Sequence, residues 1–284
     1  MRDLAERALD AADAAGAEYA DCRVMTRTVQ GVETRNGAVV AATVSEDEGV
    51  NVRILLDGAW GFAATDGLTA EAVEEASRRA AAIARASARV QRGRLALEPR
   101  APQTGEFTTP VGIDPFSVPL EEKVALLLQA DEAMSKTPQI RVRDGAFEAV
   151  REVRHFASSD GSRTTQTIIE SGIGIDATAT SEDEVQVRSY PNSFGRHQLC
   201  AGWDVMLELD VAGNAQRVAE EAAALLTADL CPAGTMTLIL DGSQAAMQVH
   251  ESCGHPTELD RVLGHEAAYA GTSFLTPDLL GSFR

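Results

Sequence analysis

The spacing of apolar residues predicts helices and strands that follow one another in two similar blocks. In the first block, Asp3 can cap a helix over residues 4–15, in which apolar residues recur on one face. Thr69 can cap an alanine-rich helix over residues 70–90, whose glutamates precede its arginines, as the helix dipole favours. Between these helices, segments rich in β-branched and apolar residues predict strands over residues 19–29, 38–45, 50–56 and 60–64.

The second block repeats the order of helix, several strands and helix. Pro119 opens a helix over residues 120–135, and a last helix is predicted over residues 211–227. Strands are expected between them, around residues 140–153, 155–158, 163–171, 174–180 and 185–190. The repeated order suggests an internal duplication, although the two blocks share no detectable identity.

These elements predict an α+β fold with two helix–multistrand–helix units. The first unit corresponds to an N-terminal domain over residues 1–98, and the second to a domain over residues 119–229. A connector over residues 99–118 separates them, because it contains several helix- and strand-breaking prolines: Pro99, Pro102, Pro110 and Pro115.

The segment His250-Glu251-Ser252-Cys253-Gly254-His255 carries the strongest candidate chemistry. Two imidazoles and a carboxylate are the minimal set for a hydrolytic zinc centre. His250 and His255 would bind Zn²⁺ as neutral imidazoles, and Glu251 would take a proton from the water that the metal activates. The chain has five histidines, so this pattern should arise by chance in roughly one chain per hundred.

The spacing of the two histidines constrains the helix that carries them. Zincins place their histidines at i and i+4 on one helix face, whereas a spacing of i and i+5 puts them about 140° apart on an ideal helix. The helix must therefore bend, bulge or stop between them, as Gly254 and Pro256 permit. The alternative interpretation is a capped helix end that carries surface histidines.

A strand and a short helix are predicted to hold this motif in place. Residues 235–240 are β-branched and apolar and indicate a buried strand. Asp241-Gly242 would form the turn, and Ser243 would cap a helix that begins at Gln244. A strand that leads into a helix would hold a metal ligand rigidly.

The run from His250 to Asp260, followed by residues 268–275, resembles the TldD/PmbA peptidases, once described as modulators of DNA gyrase. The resemblance is strongest over residues 232–276. It implies a catalytic subunit of TldD type, because the PmbA (TldE) partner generally lacks the motif. By the same resemblance, His250 and His255 are zinc ligands, Glu251 is the general base, and residues 230–284 are the start of a mostly β C-terminal metallopeptidase domain.

The chain departs from the family in its third metal ligand, which in the family is a cysteine far downstream of the motif. No cysteine follows His255, since the four are Cys22, Cys200, Cys231 and Cys253. We therefore expect a C-terminally incomplete chain, a third ligand downstream of Arg284, and weak zinc binding without it. Cys253 is expected to be a packing residue. Four nearby side chains could substitute as ligands but are expected at the surface or beside the ligands: Glu258, Asp260, His265 and Glu266.

Composition excludes several other classes of protein. The net charge of −18, the pI near 4.6 and the aromatic content of 5% disfavour binding to nucleic acid or to an anionic membrane. No signal peptide and no apolar run of about 18 residues is evident. The cysteines are scattered without a Cys-x-x-Cys pair, so we expect a cytoplasmic protein with reduced thiols.

The favoured function is zinc-dependent hydrolysis of peptide bonds. The family resemblance implies unstructured peptides as substrates, bound as an added β-strand, and a homodimer or a heterodimer with a TldD/PmbA-like subunit. Two alternatives stay open, a catalytically inactive structural partner and a zinc hydrolase of non-peptide amides. The isolated His155 and His197 are expected to be ordinary surface or core residues, and residues 189–195 an ordinary connection rather than the lining of a cleft.

Overall fold

The computed structural model describes residues 1–91, 93–192 and 196–282, which form two compact units, Met1–Ala228 and Asp229–Arg284. The first unit begins with the predicted order of elements. These are α1 (Arg2–Ala14), β1 (Tyr19–Arg35), β2 (Ala38–Leu56), β3 (Ala59–Thr65) and α2 (Ala70–Ala88). The strands predicted over residues 38–45 and 50–56 are joined in β2, which is longer than either.

The second half of this unit also follows the predicted order, with longer strands. Its elements are β4 (Thr104–Thr108), α3 (Leu120–Ser135), β5 (Ile140–Ser158), β6 (Arg163–Thr180), β7 (Val185–Tyr190), β8 (His197–Leu199), α4 (Trp203–Glu208) and α5 (Val211–Leu225). The predicted interruptions of β5 and β6 are wrong, because the two strands pair continuously with each other across those positions. The mixture of helices with largely antiparallel strands confirms the α+β fold class.

The strands of the first unit form one eight-stranded sheet. Its order is β3-β2-β1-β5-β6-β4, and β7 and β8 both pair with β6. Strand β1 lies at the centre, where Met25 is opposite Gly49 of β2 on one side and Arg154 of β5 on the other. The two predicted helix–multistrand–helix units therefore share one sheet. The predicted division into domains over residues 1–98 and 119–229, with a connector over residues 99–118, stays a prediction.

Two hydrophobic cores lie on one face of this sheet. Val24 belongs to the core under α1 and α2, and Val32 to the core under α3, α4 and α5. Because side chains alternate along a strand, these two residues of β1, eight apart, point to the same face. Helix α2 lies directly on β3, since a Cβ atom at Gly61 would be 1.9 Å from the carbonyl oxygen of Ala80.

The second unit contains helix α6 (Gly242–Val249) and a single turn, α7 (Leu259–Val262). The strand predicted over residues 235–240 is wrong. No strand occurs in the described residues 229–282, and Ile239 is 90% exposed. A β-strand needs a neighbour for its backbone groups, which the local apolar pattern cannot reveal. The cap of α6 is Asp241 rather than Ser243, because its carboxylate accepts a hydrogen bond from the Gln244 N–H at 2.8 Å.

None of the helices in the described part of the chain is long and apolar enough to cross a membrane.

Candidate metal site

The backbone changes its helical form within the His-Glu-x-x-x-His motif. Helix α6 continues into a π turn over His250–Gly254, and a 3₁₀ turn over His255–Thr257 follows. The His255 N–H donates to the His250 carbonyl, five residues earlier. The predicted departure from regular helix is confirmed, and it begins at His250 itself. A hydrogen bond from i+5 to i widens the turn, so it brings His255 back over His250.

The π turn brings the two imidazoles together. The ring centroids of His250 and His255 are 4.3 Å apart, with an angle of 70° between the ring planes. Glu251 joins them, so that one ligand atom from each of the three side chains lies within 4.8 Å of the others. Its Oε2 atom is 3.7 Å from Nε2 of His255. Two imidazole nitrogens and a carboxylate oxygen are donors that suit a zinc ion.

Thr257 stabilises the end of the π turn. Its hydroxyl lies 2.9 Å from the carbonyl oxygens of both Cys253 and Gly254, so it can donate to either one. The last carbonyls of a helix have no partner within the helix and need one from elsewhere. The side chain two residues after His255 therefore helps to hold the backbone that positions it.

Glu258 contacts the other ring nitrogen of His255. Its Oε1 atom is 2.7 Å from Nδ1, and its Oε2 atom is 2.8 Å from Nε of Arg261. Glu258 therefore lies beside His255, which the sequence predicts to be a ligand. Among the described residues, the His-Glu-His cluster does not include Asp260, His265 or Glu266. The signal for Glu258 in the sequence is its i+3 position from His255, because a 3₁₀ turn eclipses such residues.

A shallow cavity of about 180 Å³ adjoins the motif. Its lining includes Glu251, His255, Arg261 and Phe274. Residues 272–274 are held there through Ser273, whose hydroxyl donates to the Pro256 carbonyl at 2.6 Å. The Glu251 side chain is 60% exposed and that of His255 29%, so both can be reached from solvent.

The other residues singled out in the sequence are not members of the His-Glu-His cluster found among the described residues. Cys253 is exposed, so its predicted packing role is wrong; none of the residues of the π turn that contains it is buried. In the first unit, Nδ1 of His155 is 3.1 Å from the Thr165 hydroxyl, and burial lowers the pKa of this histidine. Nδ1 of His197 is 3.1 Å from Nδ2 of Asn192. Of the segment 189–195, residues 193–195 lie outside the described residues.

Two family models match the chain over most of the first unit. Residues 20–84 match PmbA/TldA metallopeptidase domain 1, and residues 113–230 match the PmbA/TldA metallopeptidase central domain. Among curated relatives, a metalloprotease of Methanocaldococcus jannaschii is 24% identical over 253 residues, which cover 89% of this chain and 54% of the relative. A metalloprotease of Methanothermobacter thermautotrophicus is 25% identical over 259 residues, which cover 89% of this chain and 53% of the relative. The chain thus spans about half the length of these relatives.

Solved structures share the fold at 16% sequence identity. A protein of Bacteroides thetaiotaomicron, named for modulation of DNA gyrase, matches with a TM-score of 0.75 over 92% of this chain and 58% of its own. A protein of Thermotoga maritima with the same description matches with a TM-score of 0.61 over 82% of this chain and 50% of its own. TldE from Thermococcus kodakarensis matches with a TM-score of 0.52 over 77% of this chain and 47% of its own. At this identity the likeness concerns the fold alone.

Proposed function

Because the chain belongs to the PmbA/TldD metallopeptidase family, we propose that it is the zinc-binding subunit of a TldD-type peptidase. The family implies a metal. The observation that carries the proposal is the convergence of His250, Glu251 and His255 at one exposed point of the second unit. Partner subunits of PmbA type generally lack such a motif, so the motif favours the catalytic type.

In this proposal, His250 and His255 hold the ion, and we assign no third protein ligand. A bound zinc ion would polarise the scissile carbonyl and lower the pKa of a water molecule. The Glu251 carboxylate would accept the proton of the attacking water and return it to the leaving amine. Its distance of 3.7 Å from Nε2 of His255 leaves it beside the ligand without a direct hydrogen bond.

The proposed substrates are unstructured peptides, and the proposed partner is a second TldD/PmbA-like subunit, identical or related, in the cytoplasm. The exposure of Glu251 supports a substrate that reaches the site from outside the unit. An extended peptide can present its scissile bond there while its backbone pairs with a strand of the enzyme. The fold shared with TldE is compatible with assembly of related subunits.

Metal analysis of histidine variants tests the site. The longest form that the reading frame encodes should retain about one ion after dialysis against zinc, and His250→Ala and His255→Ala should each lose it, because one histidine cannot hold the ion alone. The chain of 284 residues should retain zinc only weakly. His265→Ala is the matched control, since His265 is an exposed histidine of the same unit outside the cluster. Undiminished zinc in both motif variants would overturn the assignment.

A further inference from the structure

His255 has a different carboxylate at each of its two ring nitrogens. The distance from Nδ1 to Oε1 of Glu258 is 2.7 Å, which is a hydrogen bond. The distance from Nε2 to Oε2 of Glu251 is 3.7 Å, which is too long for one. The ring is therefore held from its Nδ1 side, while its Nε2 side faces the catalytic carboxylate across a gap.

This asymmetry sets the protonation of the neutral ring. An ionised carboxylate can only accept hydrogen bonds, so Nδ1 must carry the hydrogen that Glu258 accepts. Nε2 is then left with the free lone pair, which is the form that a metal ion requires. The proton on Nδ1 and the lone pair on Nε2 thus follow from the position of one carboxylate.

The local backbone and Arg261 hold Glu258 in this position. The 3₁₀ turn over His255–Thr257 brings the side chain at i+3 over His255, and Pro256 restricts the backbone of that turn. Oε2 of Glu258 lies 2.8 Å from Nε of Arg261, whose side chain is only 23% exposed. One oxygen of Glu258 is thus hydrogen-bonded to His255, and the other forms an ion pair with Arg261 whose N–H is not aligned for a hydrogen bond.

We infer that Glu258 is a positioning residue, which fixes the Nδ1–H tautomer of His255 and directs Nε2 towards the metal, with Arg261 orienting Glu258. The role in metal binding rests on the proposed function, whereas the tautomer is a property of the metal-free chain. Carboxylates behind metal-binding histidines typically contribute 10- to 100-fold in metal affinity.

His250 provides an internal comparison. In the described part of the chain, His250 contacts the ring of His255 but has no hydrogen-bond partner for its own ring nitrogens. Its tautomers should therefore be mixed, as in a solvated imidazole, while His255 is held in one. The same molecule thus contains a fixed ring and a free ring.

Nitrogen NMR of ¹⁵N-histidine-labelled, metal-free chain reads both rings directly, at a pH where they are neutral. His255 should show a protonated Nδ1 and an unprotonated Nε2. Glu258→Ala should shift it to a mixture, Glu258→Gln should restore part of the preference because an acceptor oxygen remains, and His250 should change little. A His255 ring protonated at Nε2, or unaffected by Glu258→Ala, would overturn the inference whether or not zinc binds.

Zinc competition with a chelator tests the consequence for affinity. Glu258→Ala should weaken binding 10- to 100-fold, Glu258→Gln should weaken it less, and Glu266→Gln should match the unmodified chain, since Glu266 lies outside the cluster. Equal affinity of Glu258→Ala and the unmodified chain would contradict the positioning role. Absence of zinc binding in the unmodified chain would instead contradict the proposed function and leave the NMR result to decide the tautomer.

Discussion

Glu251 and Glu258 are seven residues apart in sequence, and each faces a different nitrogen of the same imidazole. Their surroundings separate what the two carboxylates can do. Glu258 is engaged by His255 and Arg261, so it is poorly placed to exchange protons with a substrate. Glu251 forms no hydrogen bond with the ring and is largely exposed, so a water molecule can reach it. At the residue scale, these surroundings support the proposal that Glu258 orients His255 and that Glu251 is the proton acceptor.

Replacement of Glu251 by Gln should separate metal binding from catalysis. The amide keeps the size of the side chain but cannot accept the proton of water, so hydrolysis should fall at least about 10²-fold while zinc content stays near normal. Zinc would be measured by metal analysis, and hydrolysis with an unstructured peptide, in the longest form that the reading frame encodes. Glu266→Gln is the control. Loss of zinc in Glu251→Gln would make Glu251 a ligand, and unchanged hydrolysis would assign the base elsewhere.

At the scale of elements, two successive turns of unequal width bring the site together. The π turn superposes His255 on His250, and the 3₁₀ turn superposes Glu258 on His255. A regular α-helix through all of these residues would separate the two histidines by about 140°. In the first unit, the contact between two elements likewise depends on one residue. Helix α2 can lie directly on β3 because Gly61 has no side chain that would collide with the backbone at Ala80.

Gly61→Ala should destabilise the first unit. The new methyl group would lie 1.9 Å from a backbone oxygen of α2, so helix and strand must separate, and overpacking of this kind costs about 1–3 kcal/mol. Urea denaturation should therefore show a lower midpoint. Gly93→Ala is the matched control, because a methyl group there meets nothing within 4 Å. Equal midpoints for both variants would show that α2 does not rest on β3 this closely.

The sequence predicts correctly those features that depend on residues close to one another in the chain. The helices follow from periodicity and caps, and the break in the motif follows from the i,i+5 spacing next to Gly254 and Pro256. The unpaired segment 235–240 was mistaken for a strand because its composition is β-like, while pairing depends on distant residues. The two predicted units form one sheet because β1 pairs with β5, which is more than a hundred residues away in the sequence. The role of Glu258 depends on a turn type that composition does not specify.

At the scale of the first unit, one buried ammonium group connects elements from both halves. Lys123 of α3 is fully buried. Its Nζ donates to the Gln30 side chain of β1 and, at 2.6 Å, to the Pro115 carbonyl, and it lies 4.8 Å from the centre of the Phe147 ring of β5. Burial is the main cause that lowers the pKa of Lys123, from 10.5 to about 8.

Stability of this unit should therefore depend on pH in a defined window. Between about pH 8 and 10.5 the unfolded chain binds the Lys123 proton while the folded chain has lost it, so the free energy of unfolding should rise with pH. The rise is on the order of 3 kcal/mol, from about 1.4 kcal/mol per pKa unit. Lys123→Met should remove this contribution in urea denaturation across the window, and Lys136→Met, at an exposed lysine, should keep it. Parallel pH profiles for Lys123→Met and the unmodified chain would refute the assignment.

The π turn also bears on how such sites are found in other sequences. A π turn can be described as an α-helical turn with one inserted residue. Side chains at i and i+5 of such a turn therefore lie on the same face, as side chains at i and i+4 do in a regular α-helix. A search restricted to the shorter spacing would overlook this arrangement. A pattern that tolerates one extra position, when glycine and proline stand at its end, would include both as versions of one geometry.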